Sequence, residues 1–270
     1  IALDVPRQYW DWLAESWRSQ QPHLYGRLDL AYNGTGPAKL LELNYDTPTS
    51  LFETGFFQWV WLEDQQMRGR LPAGADQFNS LQDQLEQRFA SMPLQQPCYF
   101  ASVDGNIEDK GTVNYLLDIA SQAGIDSRYL PLEQLGEIDG QLVDAQNYPI
   151  QAMFKLYPWE FMLREDFGAH LLTSRTQWLE PAWKMLLSNK GILPLLWQKF
   201  TNHPNLLPAF FEDANSQPLG AGWVRKPLFS REGANVELVT LSVEKISEPG
   251  PYADSPFIRQ KLQPLPKFGD

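Results

Sequence analysis

Cysteine is almost missing from this chain: Cys98 is the single example in 270 residues. An internal disulfide is therefore excluded, and a reducing compartment, the cytoplasm, is the expected setting. With no histidine or basic cluster beside it in sequence, Cys98 reads as a buried strand residue and not as a nucleophile. Histidine is scarce too. His23, His170 and His203 show neither metal-ligand spacing nor a Ser or Cys companion, so they read as surface or core residues. Positive charge is in deficit, with 22 Lys and Arg against 33 Asp and Glu, a net charge of −11. That balance argues against a nucleic-acid partner, which needs a basic footprint, and would suit a cationic substrate such as a polyamine. No apolar run approaches a membrane span, so no membrane partner is expected. The opening Ile-Ala-Leu-Asp-Val-Pro has neither initiator Met nor a signal-peptide pattern and looks like a chain entered partway through.

Hydrophobic residues make up 43% of the chain, enough to bury a large core and to allow more than one domain. The most informative stretch is an expected β-hairpin. Two alternating runs, Arg27 to Tyr32 and Lys39 to Asn44, flank the turn cluster Asn33-Gly-Thr-Gly-Pro37. Side chains alternate faces along a strand, so a loop over Gly34 to Pro37 sets Asp29 opposite Glu42 and Arg27 opposite Asn44. All four polar groups then share one face, with Leu28, Leu30, Leu41 and Leu43 on the other. Two carboxylates facing each other repel unless a cation or proton lies between them, and with an amide oxygen they form a hard ligand set suited to Mg²⁺. An ordinary polar outer face fits the same spacing.

Helices are expected over Pro6 to Gln20 (Tyr9, Trp10, Leu13 and Trp17 facing the core) and Thr47 to Leu62 (Leu51, Phe56, Trp59 and Val60). A further one is expected over Asp76 to Ala90, through Phe78, Leu81, Leu85 and Phe89. The ten tryptophans read as core packing at this spacing. Near Pro97 the pattern changes: strand Cys98 to Val103, helix Gly111 to Ala123, strand Asp126 to Leu130, strand Ala152 to Leu156. That alternation predicts a small α/β unit with a parallel sheet. Strands return at Trp223 to Phe229, Val236 to Leu241 and Phe257 to Leu262. Lys226 lies inside the first of these, which runs straight into Ser230-Arg-Glu-Gly-Ala-Asn235. A strand lysine before a glycine-containing loop can cradle phosphate, or can be an exposed lysine beside a turn.

Together these segments resemble the glutathionylspermidine synthase family, and more closely its stand-alone synthase-like members without the amidase half. The residues that carry the resemblance are Arg27-Leu-Asp29, Glu42-Leu-Asn44-Tyr-Asp-Thr-Pro-Thr49, Lys190, and Val224-Arg-Lys-Pro with its Ser230-Arg-Glu-Gly-Ala-Asn235 loop. The resemblance covers almost the whole chain. It implies an α/β (α+β) protein: a circularly permuted ATP-grasp fold with an inserted pre-ATP-grasp α/β domain. Residues 1–95 and 181–270 would form the ATP-grasp domain, and 96–180 the inserted one. It implies an ATP- and Mg²⁺-dependent ligase that joins a small-molecule or peptide carboxylate to an amine through an acyl phosphate. Asp29, Glu42 and Asn44 would hold Mg²⁺, and Arg27 would act on the acyl phosphate. ATP would meet Arg27, Asp29, Lys190, Lys226, Glu232 and Gly233, with Gln260, Lys261, Leu262 and Gln263 at adenine. Thr47, Thr49, Glu108 and Phe161 would face the acid substrate.

Three departures qualify that picture. The family's Lys-Thr-Trp-Ala-Trp-Glu-Thr is Lys155-Leu-Tyr-Pro-Trp-Glu-Phe161 here, so two hydroxyls are replaced by Leu156 and Phe161. A site built for hydroxyl contacts discriminates strongly when they are lost, which counts against glutathione itself. The family's Asn-Ala-Asp-Ser-Ala-Ser is Asn44-Tyr-Asp-Thr-Pro-Thr49, which keeps hydroxyls and changes shape. The chain ends at Lys267-Phe-Gly-Asp270 where relatives continue, so the ATP-grasp domain is expected to be incomplete at its C-terminus. The alternative function class is a non-catalytic nucleotide- or peptide-binding module on a degenerate synthase scaffold.

Overall fold

The computed structural model describes residues 3–77 and 79–267; Phe78, assigned above to a helix, lies outside the described residues. The strands are β1 (Arg27–Ala31), β2 (Lys39–Asn44), β3 (Cys98–Ser102), β4 (Ser127–Pro131), β5 (Gly136–Ile138), β6 (Gln141–Val143), β7 (Ala152–Leu156), β8 (Gln177–Leu179), β9 (Ala209–Phe211), β10 (Trp223–Pro227), β11 (Glu237–Val239), β12 (Lys245–Ser247) and β13 (Phe257–Lys261). The helices are α1 (Trp10–Arg18), α2 (Gln58–Met67), α3 (Leu81–Ser91), α4 (Ile107–Gln122), α5 (Trp159–Met162), α6 (Met185–Ser188) and α7 (Ile192–Lys199). The protein is a mixed α/β structure with one parallel sheet and otherwise antiparallel ones. Its contacts divide into two compact units, the first of Ile1–Trp10, Gly26–Tyr45 and Trp183–Asp270, the second of Asp11–Tyr25 and Asp46–Ala182.

In the first unit a five-stranded antiparallel sheet runs in the order β12-β11-β10-β13-β9. Its inner face, with Leu40 and Leu43 of the hairpin and Leu193 and Trp197 of α7, closes a core around Ala209, Leu228 and Ile258. The hairpin pairs as its alternation requires, Arg27 with Asn44 and Asp29 with Glu42. The register then shifts, so that Leu30 faces Leu40 and Leu41 is the extra residue of a bulge. The leucine face of β1 is not core: Leu28 and Leu30 are 48% and 49% exposed. Leu43 of β2, opposite Leu28, packs on the core, and the side bearing the polar groups is met by Lys190 and Lys226.

In the second unit the parallel sheet runs β4-β3-β7-β8, one strand wider than the spacing predicts; β8 is only three residues long and carries no periodicity of its own. β3 and β7 are buried at every position, as expected of a strand covered on both faces. Val113, Leu116 and Ile119 of α4 and Leu85 and Phe89 of α3 pack over Phe100 and Phe154. That packing is why residues 46–95 cluster with the central segment, and the compact units do not divide near residue 95. Asn106 caps α4, its Oδ1 accepting from the Glu108 and Asp109 amides at 3.1 Å each. Several aromatics expected in the core are outside it. Trp10 is 38% and Trp17 63% exposed. On the helix from Leu51, Phe56, Trp59 and Val60 are exposed, and Leu51 and Leu62 supply the buried positions. Among the described residues no helix is long and apolar enough to cross a membrane.

Candidate functional site

The polar face of the hairpin is a charged cluster assembled from chain segments far apart in sequence. Arg27 Nε donates to Asp29 Oδ1 at 2.8 Å, with Nη2 3.3 Å from Oδ2. The Asn44 amide nitrogen lies 3.3 Å from Asp29 Oδ2 and 3.4 Å from Glu42 Oε1. One amide reaching both carboxylates fixes them on the same side of the sheet. Lys190, at the foot of α7, sets its Nζ 3.4 Å from Glu42 Oε2 and donates to the Ser230 carbonyl at 2.8 Å. Its backbone is held just past the end of β10, the Lys190 amide donating to Leu228 O at 3.0 Å.

The bulge explains how Lys226 docks. A bulged residue leaves the ladder, and its backbone groups need other partners. Lys226 Nζ donates to Leu41 O at 3.1 Å and to Gln260 Oε1 at 2.8 Å, while Gln260 Nε2 donates to Leu40 O at 3.1 Å. In the β10–β13 pairing Val224 faces Gln260 and Lys226 faces Ile258, so the lysine and the glutamine share the inner face. Gln260 is thus a buried clamp on Lys226 and the hairpin, 2% exposed, through its side chain. Nothing in the spacing signals that role, since its two partners lie on other segments.

Electrostatics tie the cluster together. Burial alone would push the Glu42 carboxyl up, but Lys190, then Lys226, and the Asn44 hydrogen bond bring it below the ordinary glutamate value. Burial lowers the Lys226 ammonium to about 8, against an upward pull from Glu42 and with Lys190 adding repulsion. Three cationic and two anionic side chains leave the cluster one positive charge in excess. Beside it, the Ser230 to Asn235 loop turns through left-handed backbone at Glu232 (φ 53°), Gly233 (φ 76°) and Asn235 (φ 57°). The buried Ser230 Oγ has no hydrogen-bond partner among the described residues.

The remaining candidates are elsewhere. Lys261 and Leu262 already donate their backbone N–H groups to Pro208 O and Gly222 O, at 2.8 and 2.9 Å. Lys261 Nζ stands 5.4 Å from the Trp223 ring centroid, and Gln263 is exposed. Thr47, Thr49, Glu108 and Phe161 belong to the second unit. Glu108 is exposed in the first turn of α4, and Phe161 is 36% exposed with its ring 5.8 Å from Tyr157. Leu156 is 4% exposed and buried in the core. Cys98 is fully buried and its thiol is pushed up to about 12 by that burial, so it is inert, as its surroundings in sequence suggest. Among the described residues no group of three or more His, Cys, Asp and Glu is placed to hold a metal; the hairpin set has two carboxylates and an amide. A surface cavity of about 870 Å³ lined by Gln95, Arg128, Tyr148 and neighbours contains none of these residues.

The chain belongs to the family described as glutathionylspermidine synthase preATP-grasp, whose profile matches residues 1–270. Among individual proteins it is similar to a Haemophilus influenzae protein named "Putative acid--amine ligase", 40% identical over 94% of this chain and 66% of that one. It is 27% identical to trypanothione synthetase of Crithidia fasciculata, over 97% of this chain and 44% of the relative. It is 28% identical to the bifunctional glutathionylspermidine synthetase/amidase of Escherichia coli, over 98% and 46%. The chain therefore spans between about half and two thirds of the length of these relatives.

Proposed function

We propose that the protein is an ATP- and Mg²⁺-dependent acid–amine ligase. The carboxylate of a small molecule or peptide is phosphorylated by ATP, and an amine displaces phosphate to give an amide, ADP and phosphate. The observation that carries this reading is the convergence of Arg27, Asp29, Glu42, Asn44, Lys190 and Lys226 in one cluster of one compact unit. The named relatives support the reaction class. On this reading the first unit is the ATP-grasp domain in circularly permuted order, and the second is the pre-ATP-grasp domain.

The donor set fits Mg²⁺ and a polyphosphate. Asp29 and Glu42 supply hard oxygen ligands, and Glu42 is kept ionised. Asn44 presents its NH₂ to both carboxylates, so to offer its oxygen it would rotate by about a half-turn, an orientation set by the hydrogen-bond network. Lys190, Lys226, Ser230 Oγ and the left-handed loop would take the phosphates. When bound, the metal supplies charge neutralisation for phosphoryl transfer. The residues do the positioning: Gln260 aims Lys226, Asp29 aims Arg27, and Arg27 offers a planar fork toward the transferring group. Glutathione is disfavoured as the acid, since Leu156 is core and Phe161 offers a ring where the family has a hydroxyl.

Thermal melts with ATP, with Mg²⁺, and with both test the site. A concentration-dependent rise in Tm that needs both components is expected, followed by ADP release with candidate acids and amines. Nucleotide binding with no turnover across a broad acid–amine panel would leave a binding module instead.

A further inference from the structure

In the second unit, Asp46 and Lys155 form an ion pair with no solvent exposure on either side chain, at 2.8 Å. A lysine in the middle of the otherwise apolar strand Ala-Met-Phe-Lys-Leu is a large burial cost unless each of its donors is used. They are used. Lys155 Nζ also donates to Tyr157 O at 2.7 Å and lies 4.0 Å from the Trp159 ring centroid. The second Asp46 oxygen accepts from the Trp159 amide at 2.7 Å, at the first residue of α5. Trp159 itself is fully buried, edge-on to Trp12 and Trp178.

The segment after Asp46 is held at Pro48 and Ser50. Tyr25 Oη donates to Pro48 O at 2.7 Å, and Ser50 O accepts the Thr54 amide and hydroxyl at 3.1 and 2.7 Å. Asp46 and Pro48 are buried, whereas Thr47 is half-buried and Thr49 exposed. We propose that Lys155 is a positioning residue: through Asp46 it sets where the Thr47 and Thr49 hydroxyls stand, and so how tightly the carboxylate substrate is gripped. This rests on the ligase reading, and on those threonines facing the acid.

The test compares the parent protein with Asp46→Asn and with the charge-neutral pair Asp46→Asn/Lys155→Met. Asparagine keeps an acceptor for the Trp159 amide in both variants, and the double variant, which leaves no unpaired buried charge, retains the fold if the single variant does not. Each is assayed below its Tm for the KM of the acid, kcat and the Kd of Mg-ATP, with amide exchange over residues 46–50. Loss of loop placement should raise the acid KM by about tenfold to 10²-fold, as small misplacements do, with Mg-ATP affinity unchanged and exchange faster in that segment. An unchanged acid KM in a folded variant overturns the inference and leaves the pair a purely structural one. A parent protein that turns over no acid–amine pair overturns the ligase reading instead.

Discussion

Arg27 is bonded to Asp29, and that contact can be a catalytic arrangement or a hairpin fastening. Exposure separates the two. The side chains are 35% and 33% exposed, and ion pairs that wet contribute at most about 1 kcal/mol. Arg27→Ala should therefore leave Tm almost unmoved and Mg-ATP affinity near that of the parent. If Arg27 grips the transferring phosphoryl group, kcat falls roughly 10²–10³-fold, as on deletion of one charge-stabilising donor. Loss of stability with kcat per folded molecule intact would assign it to the hairpin. Lys226 makes a separate statement about pH. Its folded value of about 8 is below the ordinary 10.5, so between those values the unfolded chain holds the extra proton and stability rises with pH. Below about 8 both states are protonated and that contribution is flat. A bound polyanion pulls the value up, so ATP binding near pH 8 should take up a proton. Calorimetry in buffers of different ionisation enthalpy reads this directly, and no uptake would mean that Lys226 does not face the phosphates.

At the scale of elements, the hairpin was legible because each of its signals agreed: a turn cluster, two alternating runs, and polar residues in matching phase. The bulge at Leu41 was not legible, since a one-residue register shift depends on what the carbonyls find elsewhere, here Lys226 and Gln260. The aromatics misled for a related reason. Phe56, Trp59 and Val60 have helical spacing, but spacing gives a shared face and does not say what covers it. Strands of three residues such as β8, β9 and β12 are too short to carry a period. The Asp46–Lys155 pair spans 109 residues, although a charge inside an apolar strand was a visible hint of a buried partner. Two substitutions test the elements themselves. A Cβ on Gly26 would stand 2.6 Å from the Tyr45 ring, which also has Lys184 Nζ 5.2 Å from its centroid. Gly26→Ala should cost about 1–3 kcal/mol by overpacking, read from denaturant midpoints. Asn106→Ala should cost about 1 kcal/mol through the lost α4 cap, with the m-value unchanged.

At the scale of the whole molecule, the first unit draws on three separate stretches of chain, with the central segment inserted between the hairpin and its sheet. Alternation and turn chemistry predict elements well, but they carry no record of which distant elements meet, so the grouping of Gly26–Tyr45 with Trp183–Asp270 has no local signal. If the charged cluster is one ligand site, Mg-ATP should slow amide exchange in the peptides over 39–44 and 223–227 by the same factor. Protection of one without the other would divide the cluster into unrelated halves.

The separation of Leu41 and Lys226 by 185 positions has a consequence for how the protein is made. A ribosome adds about 5–20 residues per second, so the hairpin with Asp29 and Glu42 emerges roughly 10–40 s before the lysine that docks on its bulge. Throughout that interval the nascent hairpin carries two carboxylates and two unfilled carbonyls, with Arg27 as the neighbouring cation. The cluster is therefore among the last parts of the unit to be completed, and a product shortened before Lys190 would display Asp29 and Glu42 with Arg27 as their one cation from the cluster.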